Sequence, residues 1–415
     1  MTTHNLRINI DRLWASLMEQ AAIGRTERGG LRRLALSAED GAVRALFRGW
    51  CEEAGLTVAV DAVGNMFALR KGHDPRARAI MMGSHLDTQI HGGRFDGILG
   101  VLGALEVVRT LTDNNIVTDH PLIIANWTNE EGARFEPPML GSRVFCGMAT
   151  AEEAHAIRDR DGVSFGAALE AIGARGQARL SPADLDSYFE LHIEQGPELD
   201  EQKIQVGAVA GAFDVRWAVI EVTGDNAHAG PTRMADRKNA LVGAAAVISA
   251  VNDIGWAYAP SGGRTTTARL TVEPNLLGII SHRAELLCDF RHPQERIPQD
   301  MFAAFLARLP GLERASNCAI RVLRDWRYGA MRYDAGLTGL VRAAAAGLGY
   351  SQIDLLTVAG HDSMNMAGVV PSTMIFTPCE KGISHNEAEN VTPADIEPGV
   401  NVLLHAVLGR DRQKD

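Results

Sequence analysis

The feature that most constrains the fold is a strand–helix–strand pattern in the first third of the chain. Residues 78–86 form an apolar run typical of a strand buried on both faces, and residues 97–113 repeat apolar side chains at helical spacing. A second apolar run, residues 121–127, predicts the next strand. Two buried strands joined by one helix form a βαβ unit, so the sequence predicts an α/β fold with a mainly parallel sheet.

A different pattern occupies the middle of the chain. Segments that alternate or carry β-formers are separated by helical segments in the order βαββαβ, which is a compact domain in itself. The segments are residues 216–224, 237–254, 265–273, 284–291, 298–309 and 319–325. After residue 328 the α/β pattern returns. We therefore predict a catalytic domain made of residues 1–211 and 328–415, with an inserted α+β domain at residues 212–327.

Composition excludes several classes of protein. The net charge is -10 and there is no long basic run, so no nucleic-acid partner is expected. The apolar runs fall short of about 18–20 residues, so no membrane partner is expected. The five cysteines are scattered, and the amino-terminal residues lack the apolar stretch of a signal peptide. These features predict a cytoplasmic protein.

Metal-binding side chains follow the two predicted strands. His85 and Asp87 end the first strand, and Glu130 and Glu131 follow the second. Ligands of α/β sheets bind beyond the carboxyl ends of the strands, so we expect these four side chains to meet at one edge of the sheet. The Asp87 carboxylate is expected to hold the second ring nitrogen of His85.

The order of these residues predicts a hydrolase with two metal ions. Asp96 follows a pair of glycines and precedes a helix, and its two oxygens suit a bridge between ions about 3.5–4 Å apart. Adjacent glutamates cannot take the same role at one metal, so Glu131 is expected to ligate. Glu130 is then left to take a proton from metal-bound water. His192 and His385 add imidazole ligands.

With these motifs the chain closely resembles the M20 metallopeptidase clan and, within it, the hydantoinase/carbamoylase family of amidases. That family includes N-carbamoyl-L-amino acid hydrolases, β-ureidopropionases and allantoate amidohydrolases. The resemblance covers nearly the whole chain. It rests on the segments 83–88, 92–97, 128–132, 192–197, 227–230, 360–362 and 383–385.

The resemblance implies roles for the metal-binding residues. Asp96 is the implied bridging ligand, and His85 and His192 complete one site. Glu131 and His385 complete the other site. Glu130 is implied as the general base that acts on a metal-bridged water. The implied cofactors are two divalent ions per chain, with zinc expected and manganese, cobalt or nickel as alternatives.

The resemblance also implies a substrate site and a dimer. The inserted domain resembles the lid and dimerisation domain of the clan, which implies a homodimer. His228 is implied to reach the active site of the other subunit and to donate to the carbonyl oxygen of the substrate. Arg291 is the implied carboxylate clamp, and Gln195 and Asn275 are implied to bind the polar end of the substrate.

The expected activity is hydrolysis of the C–N bond of an N-carbamoyl (ureido) amino acid, a small molecule, to the amino acid, carbon dioxide and ammonia. An allantoate amidohydrolase, or an aminoacylase or dipeptidase of the same clan, remains an alternative. A metal-binding protein without catalysis is a third hypothesis. Glu130 argues against it, because such a protein has no use for an acid beside the ligand.

Overall fold

The structure is a computed structural model that describes residues 5–413. Residues 1–4, part of the stretch used above to argue against a signal peptide, lie outside the described residues. The chain forms two compact units, one reaching Ala210 and resuming at Arg332, and the other running from Gly211 to Met331.

The strands and helices are numbered in chain order. The strands are β1 (Thr57–Val60), β2 (Met66–Arg70), β3 (Ala79–His85), β4 (Leu122–Trp127), β5 (Leu185–Ile193), β6 (Val206–Ala212), β7 (Asp214–Thr223), β8 (Ala227–His228), β9 (Arg264–Glu273), β10 (Ile279–Ile280), β11 (Arg283–His292), β12 (Ala319–Gly329), β13 (Gln352–Thr357) and β14 (Ser372–Thr377). The α-helices are α1 (Ile10–Gln20), α2 (Ala38–Glu53), α3 (Ile98–Asp113), α4 (Leu140–Phe145), α5 (Ala151–Ala156), α6 (Phe165–Ala171), α7 (Glu198–Gln202), α8 (Ala240–Tyr258), α9 (Ile297–Ser316), α10 (Ala335–Leu348), α11 (Asp362–Met366) and α12 (Pro393–Asp411).

The first unit is built on an eight-stranded sheet with the order β1-β2-β4-β3-β5-β14-β6-β13. Its four central strands, β4, β3, β5 and β14, pair in parallel. Every residue of these four strands is buried, as expected for a parallel sheet covered on both faces. The predicted α/β fold with a mainly parallel central sheet is therefore confirmed.

Helix α3 joins β3 to β4 and packs on the central sheet. Thirteen of its residues are buried, which explains why its sequence is apolar on nearly all sides. The helix begins after Gly97, whose φ of 69° lies in the left-handed region that glycine adopts without strain. This turn places Asp96 at the carboxyl edge of the sheet.

The second unit contains an antiparallel sheet with the order β12-β7-β11-β9. Helices α8 and α9 cover one face of it, and the core between them includes Ile220, Leu286 and Phe305. The order of these elements is the predicted βαββαβ, with the short pair β8–β10 added between them. Helix α9 was expected to end at residue 309 but continues through Pro310 to Ser316. A proline removes one hydrogen bond, and packing of the following turn, which includes Leu312, compensates.

Helix α8 was not expected to resemble a membrane span. Within residues 5–413, the segment Ala240–Ser261 is the one helical segment long and apolar enough to cross a membrane by length and composition. Of its apolar 18-residue stretch, 44% is buried. Its residues Ala244, Val247 and Val251 lie in the core of the second unit. The apolar composition of this helix is therefore in part that of a core helix.

Candidate metal centre

Three neighbouring parallel strands bring the predicted ligands to one edge of the sheet. His85 is the last residue of β3, and His192 lies one residue before the end of β5. Glu130 and Glu131 follow the end of β4 by three and four residues. Because β4, β3 and β5 are adjacent, these side chains converge as the sequence predicted.

Asp96 lies between two groups of donor atoms. Its Oδ1 atom is 3.6 Å from Nε2 of His85 and 3.2 Å from Nε2 of His192. Its Oδ2 atom is 3.5 Å from Nε2 of His385, which is 3.2 Å from Oε2 of Glu131. The two oxygens of one carboxylate thus face different groups, which is the arrangement expected of a bridging ligand.

The donor set fits two divalent cations. The ligand atoms of His85, Asp96 and His192 lie within 4.8 Å of one another, and so do those of Asp96, Glu131 and His385. Imidazole nitrogens and carboxylate oxygens are ligands for zinc and similar ions. A Cβ atom at Gly97 would lie 2.2 Å from Nε2 of His85, so only glycine leaves room beside that ligand atom.

Hydrogen bonds orient the two buried imidazoles. Nδ1 of His85 lies 3.0 Å from the carbonyl oxygen of Asp87, and Nδ1 of His192 lies 2.8 Å from that of Ile193. A carbonyl oxygen only accepts, so each Nδ1 carries the hydrogen. In the neutral ring Nε2 is then the nitrogen that carries the lone pair, and it is the atom that faces Asp96.

Asp87 differs from its predicted arrangement. Its carbonyl, rather than its carboxylate, contacts the ring of His85, and the nearest carboxylate oxygen is 3.9 Å from Nδ1. The reason is that β3 ends at His85, so strand alternation does not extend to Asp87. The carboxylate instead accepts from the backbone N–H groups of Glu130 and Glu131, at 3.2 and 3.3 Å. Asp87 therefore anchors the turn that carries both glutamates.

The two adjacent glutamates have different surroundings. Glu131 accepts from Nε2 of Gln89 at 2.7 Å and faces His385. Glu130 is buried, with Oε2 3.5 Å from Nε2 of His85, and burial raises its pKa well above the usual range. Asn129, with a φ of 60°, makes the sharp turn before them. Only Glu131 belongs to a donor group, which leaves Glu130 beside the ligands as a separate acid.

Glu389 is a site residue that sequence reasoning missed. Its Oε1 atom accepts from the backbone N–H groups of Phe95 and Asp96, at 2.9 and 3.1 Å. Ser384 donates to Oε2 of Glu389 at 3.2 Å and to Oδ2 of Asp96 at 2.6 Å. Burial raises the pKa of Glu389 to about 8. This acid links the turn of Asp96 to the loop of His385. In the sequence, its position four residues after His385 is the one feature that could have indicated a role at the site.

Gln195 lies at the metal centre. Its Nε2 atom donates to Oδ2 of Asp96 at 2.7 Å, and it adopts a φ of 57°. Its Oε1 atom is buried and has no hydrogen-bond partner among the described residues. A buried acceptor without a partner is costly, so a donor on a bound molecule would stabilise this side chain.

His361 and Asp362, which the sequence marked only as a motif, lie behind the metal ligands. The ring of His361 is 4.6 Å from that of His192, centroid to centroid, and burial lowers the pKa of His361 well below its usual value. Asp362 accepts from Oγ of Ser142 at 2.5 Å, and burial raises the pKa of Asp362 well above its usual value.

The remaining predicted site residues belong to the second unit. His228 ends β8, is exposed, and accepts at Nδ1 from the backbone N–H of Gly230 at 3.1 Å. Asn275 lies in the turn between β9 and β10. Arg291 lies in β11 and makes two contacts of 3.1 Å with the carboxylate of Asp289.

Comparison with known proteins agrees with the geometry. The model of peptidase family M20/M25/M40 matches residues 81–409, a range that contains every ligand of both donor groups. The chain belongs to this family. An N-carbamoyl-L-amino-acid amidohydrolase of Rhizobium meliloti is 43% identical to this chain over 406 residues, which is 97% of each of the two chains.

Two further comparisons place the chain within the M20/M25/M40 family. A hydantoinase/carbamoylase family amidase from Burkholderia vietnamiensis, solved as a crystal structure, superposes with a TM-score of 0.91 and 44% identity, covering 99% of each chain. An allantoate amidohydrolase of Bacillus subtilis is 28% identical over 386 residues, 92% of this chain and 93% of its own. The resemblance inferred from the motifs is confirmed, and the chain is a hydantoinase/carbamoylase member of the M20/M25/M40 family.

Proposed function

We propose that the protein hydrolyses the C–N bond of N-carbamoyl amino acids. The observation that carries the proposal is the position of Glu130, buried 3.5 Å from a ligand atom of His85 yet outside both donor groups. An acid held there serves proton transfer rather than metal binding. The name of the relative at 43% identity supports this class of substrate.

The metal ions would be held by two sets of ligands that share Asp96. One set is His85, Asp96 and His192, and the other is Asp96, Glu131 and His385. Bound there, divalent ions supply a Lewis acid for the carbonyl oxygen and lower the pKa of water. Zinc is the proposed metal, and manganese, cobalt and nickel suit the same ligands.

Glu130 acts twice in the proposed reaction. Its carboxylate takes a proton from the attacking water as the oxygen bonds to the ureido carbon. It then delivers that proton to the amino-acid nitrogen as the C–N bond breaks. The products are the amino acid and a carbamate, which decomposes to carbon dioxide and ammonia. Asp87 holds the backbone of Glu130 and so keeps the base in place.

Four polar side chains are proposed to bind the substrate. The guanidinium of Arg291 receives the carboxylate, because its planar fork suits two-point binding and Asp289 fixes its orientation. Gln195 contributes its unpartnered Oε1 atom as an acceptor for the ureido N–H groups. Asn275 binds the polar end of the substrate, and His228 donates to the carbonyl oxygen from the partner subunit.

The homodimer is proposed to form through the second unit. Strand β9 is an edge strand, and Leu241, Val242 and Trp256 of α8 are 44%, 54% and 74% exposed. Exposed apolar residues beside an open strand edge mark an interaction surface, and a two-fold dimer is the commonest assembly.

The five cysteines are unpaired, which favours a reducing, cytoplasmic compartment.

A panel of substrates tests the proposed activity. The enzyme, loaded with zinc, manganese or cobalt, is assayed for ammonia and free amine with N-carbamoyl-L-amino acids, allantoate, N-acetyl amino acids and dipeptides. We expect the highest kcat/KM with an N-carbamoyl amino acid. Preference for allantoate would establish the second candidate, which the Bacillus subtilis relative supports. Preference for acetyl or peptide substrates would overturn both.

A further inference from the structure

The sheet face that carries Arg291 also carries two tryptophans. Trp217 of β7 pairs in register with Trp326 of β12 and with Asp289 of β11, so the three side chains lie on the same face. The neighbouring Ala218 points to the opposite face, into the core beneath α8 and α9. The two indoles therefore lie on the side of the sheet that the helices leave uncovered.

The tryptophans and two arginines form an ordered row. The indole rings are 6.2 Å apart between centroids and inclined by 10°. Arg291 lies over Trp217 with Cζ 5.5 Å from the ring centroid, and Arg324 lies 5.1 Å from that of Trp326. Stacking and cation–π contacts hold the rings upright. Trp326 is 38% exposed and Trp217 is partly exposed, so an edge of each ring is accessible.

Core packing does not account for this pair. The core of the second unit lies on the other face, so burial in that core does not explain two stacked indoles here. An apolar aromatic surface beside a fixed guanidinium is, in contrast, the composition of a small-molecule pocket. The guanidinium sets where a carboxylate binds, and the indoles begin directly beside it.

We propose that Trp217 and Trp326 form the apolar wall that receives the side chain of the substrate's amino-acid part. This rests on the proposed function, in which Arg291 binds the carboxylate. In an α-amino acid the side chain branches from the carbon that bears the carboxylate, so a carboxylate on Arg291 brings that side chain against Trp217. The preferred substrates are then N-carbamoyl amino acids with large apolar or aromatic side chains. Ureido acids without a side chain, and polar ureido acids such as allantoate, make no apolar contact with the wall and are not favoured by it.

Trp326→Ala is the direct test, because Trp326 contacts Trp217 and Arg324 but leaves the contact between Trp217 and Arg291 intact. A single methylene in an apolar pocket changes specificity by about 10-fold or more. We expect kcat/KM for N-carbamoyl-L-phenylalanine to fall by at least about 10-fold. For N-carbamoylglycine, which has no side chain, we expect a change smaller than about threefold, because its contacts with the clamp and the base are retained.

The matched control is Leu306→Ala on α9. Leu306 is 39% exposed, close to the 38% of Trp326, but lies on the helix covering the other face. The Leu306→Ala substitution should leave kcat/KM for both substrates unchanged. Trp326→Phe, which keeps an aromatic ring, should lie between wild type and Trp326→Ala for the phenylalanine substrate, and it serves if the alanine variant fails to fold.

The outcomes separate the wall from the proposed function. If the wild type has the same kcat/KM for N-carbamoylglycine as for N-carbamoyl-L-phenylalanine, the wall is refuted while the carbamoylase activity stands. An equal loss for both substrates in Trp326→Ala also refutes it, because the residue would then act on the fold or the chemistry. If the wild type hydrolyses no N-carbamoyl amino acid, the proposed function fails and the wall falls with it.

Discussion

A Cβ atom on Gly97 would lie 2.2 Å from Nε2 of His85, the ring nitrogen that faces Asp96. The backbone N–H of Gly97 also donates to Nε2 of His192 at 3.1 Å. Gly97 thus lies between the two imidazoles of one proposed metal site. No larger residue fits there without moving a ligand.

Gly97→Ala is therefore predicted to lose the metal of this site and most of the activity. The methyl group displaces the His85 ring, and alanine is strained at a φ of 69°. Elemental analysis and turnover measure the two effects. Gly49→Ala on α2 is the control: its Cβ would have no neighbour within 4 Å, so metal content and activity should match wild type. Normal metal content in Gly97→Ala would contradict the proposed ligand geometry.

Substitution of each adjacent glutamate in turn should distinguish the role of the base from the role of the metal ligand. Glu130→Gln is expected to keep both metals but to lower kcat by roughly 10²–10⁴, the usual contribution of a general base. Glu131→Gln should lower metal occupancy, because Glu131 lies 3.2 Å from His385 in the second donor group. Metal analysis beside kcat tests both. Loss of metal from Glu130→Gln, with activity kept in the loaded fraction, would show that the roles are reversed.

Metal binding should release protons near neutral pH. Burial lowers the pKa of His385, but the charge and hydrogen bond of Glu131 outweigh it and raise that pKa to about 9. A folded-state pKa above 7 means that the metal-free imidazole is protonated at pH 7, and a metal must displace that proton. Affinity should therefore rise with pH until about 9.

Calorimetry in buffers of different ionisation enthalpy measures this proton release. The observed binding enthalpy at pH 7 should change in proportion to the buffer's ionisation enthalpy. His385→Ala should reduce the number of protons released as well as the metal content. An enthalpy independent of the buffer would contradict a protonated imidazole at the site.

The sequence predicts the central sheet well because buried parallel strands are apolar throughout. The run at residues 78–86 became β3 at Ala79–His85, and the run at residues 121–127 became β4 at Leu122–Trp127. Strand β5 was not assigned, because its sequence contains Asp186 and Glu190. Both acids are buried, and their partners are remote in sequence: Arg410 binds Asp186, and Ser84 donates to Glu190.

The candidate site was predicted where a side chain's chemistry alone indicates its role. The ligand residues His85, Asp96 and His192 are of that kind, and they converge. The roles of Asp87 and Glu389 depend on which backbone N–H groups lie within reach. Those contacts follow from loop geometry, which residue type and spacing do not determine.

The proposed dimer leads to a distinct prediction about His228. Glu130→Ala and His228→Ala chains, each inactive alone, are mixed under conditions that exchange subunits. In a mixed dimer, the site on the His228→Ala chain keeps Glu130 and borrows His228 from its partner. About half of the dimers are mixed and each has one good site of two, so activity should return to roughly a quarter of wild type. A mixture with proven exchange and no activity would reject a shared site.

Two ions bound around Asp96 and a base at Glu130 are proposed to perform the hydrolysis together. The most direct measurement is a titration of the chelated protein with zinc, manganese or cobalt, following hydrolysis of an N-carbamoyl-L-amino acid by ammonia release. We predict no activity without metal and a rise that reaches its plateau at two ions per chain. Full activity in protein shown by elemental analysis to be free of metal would contradict hydrolysis by metal-bound water.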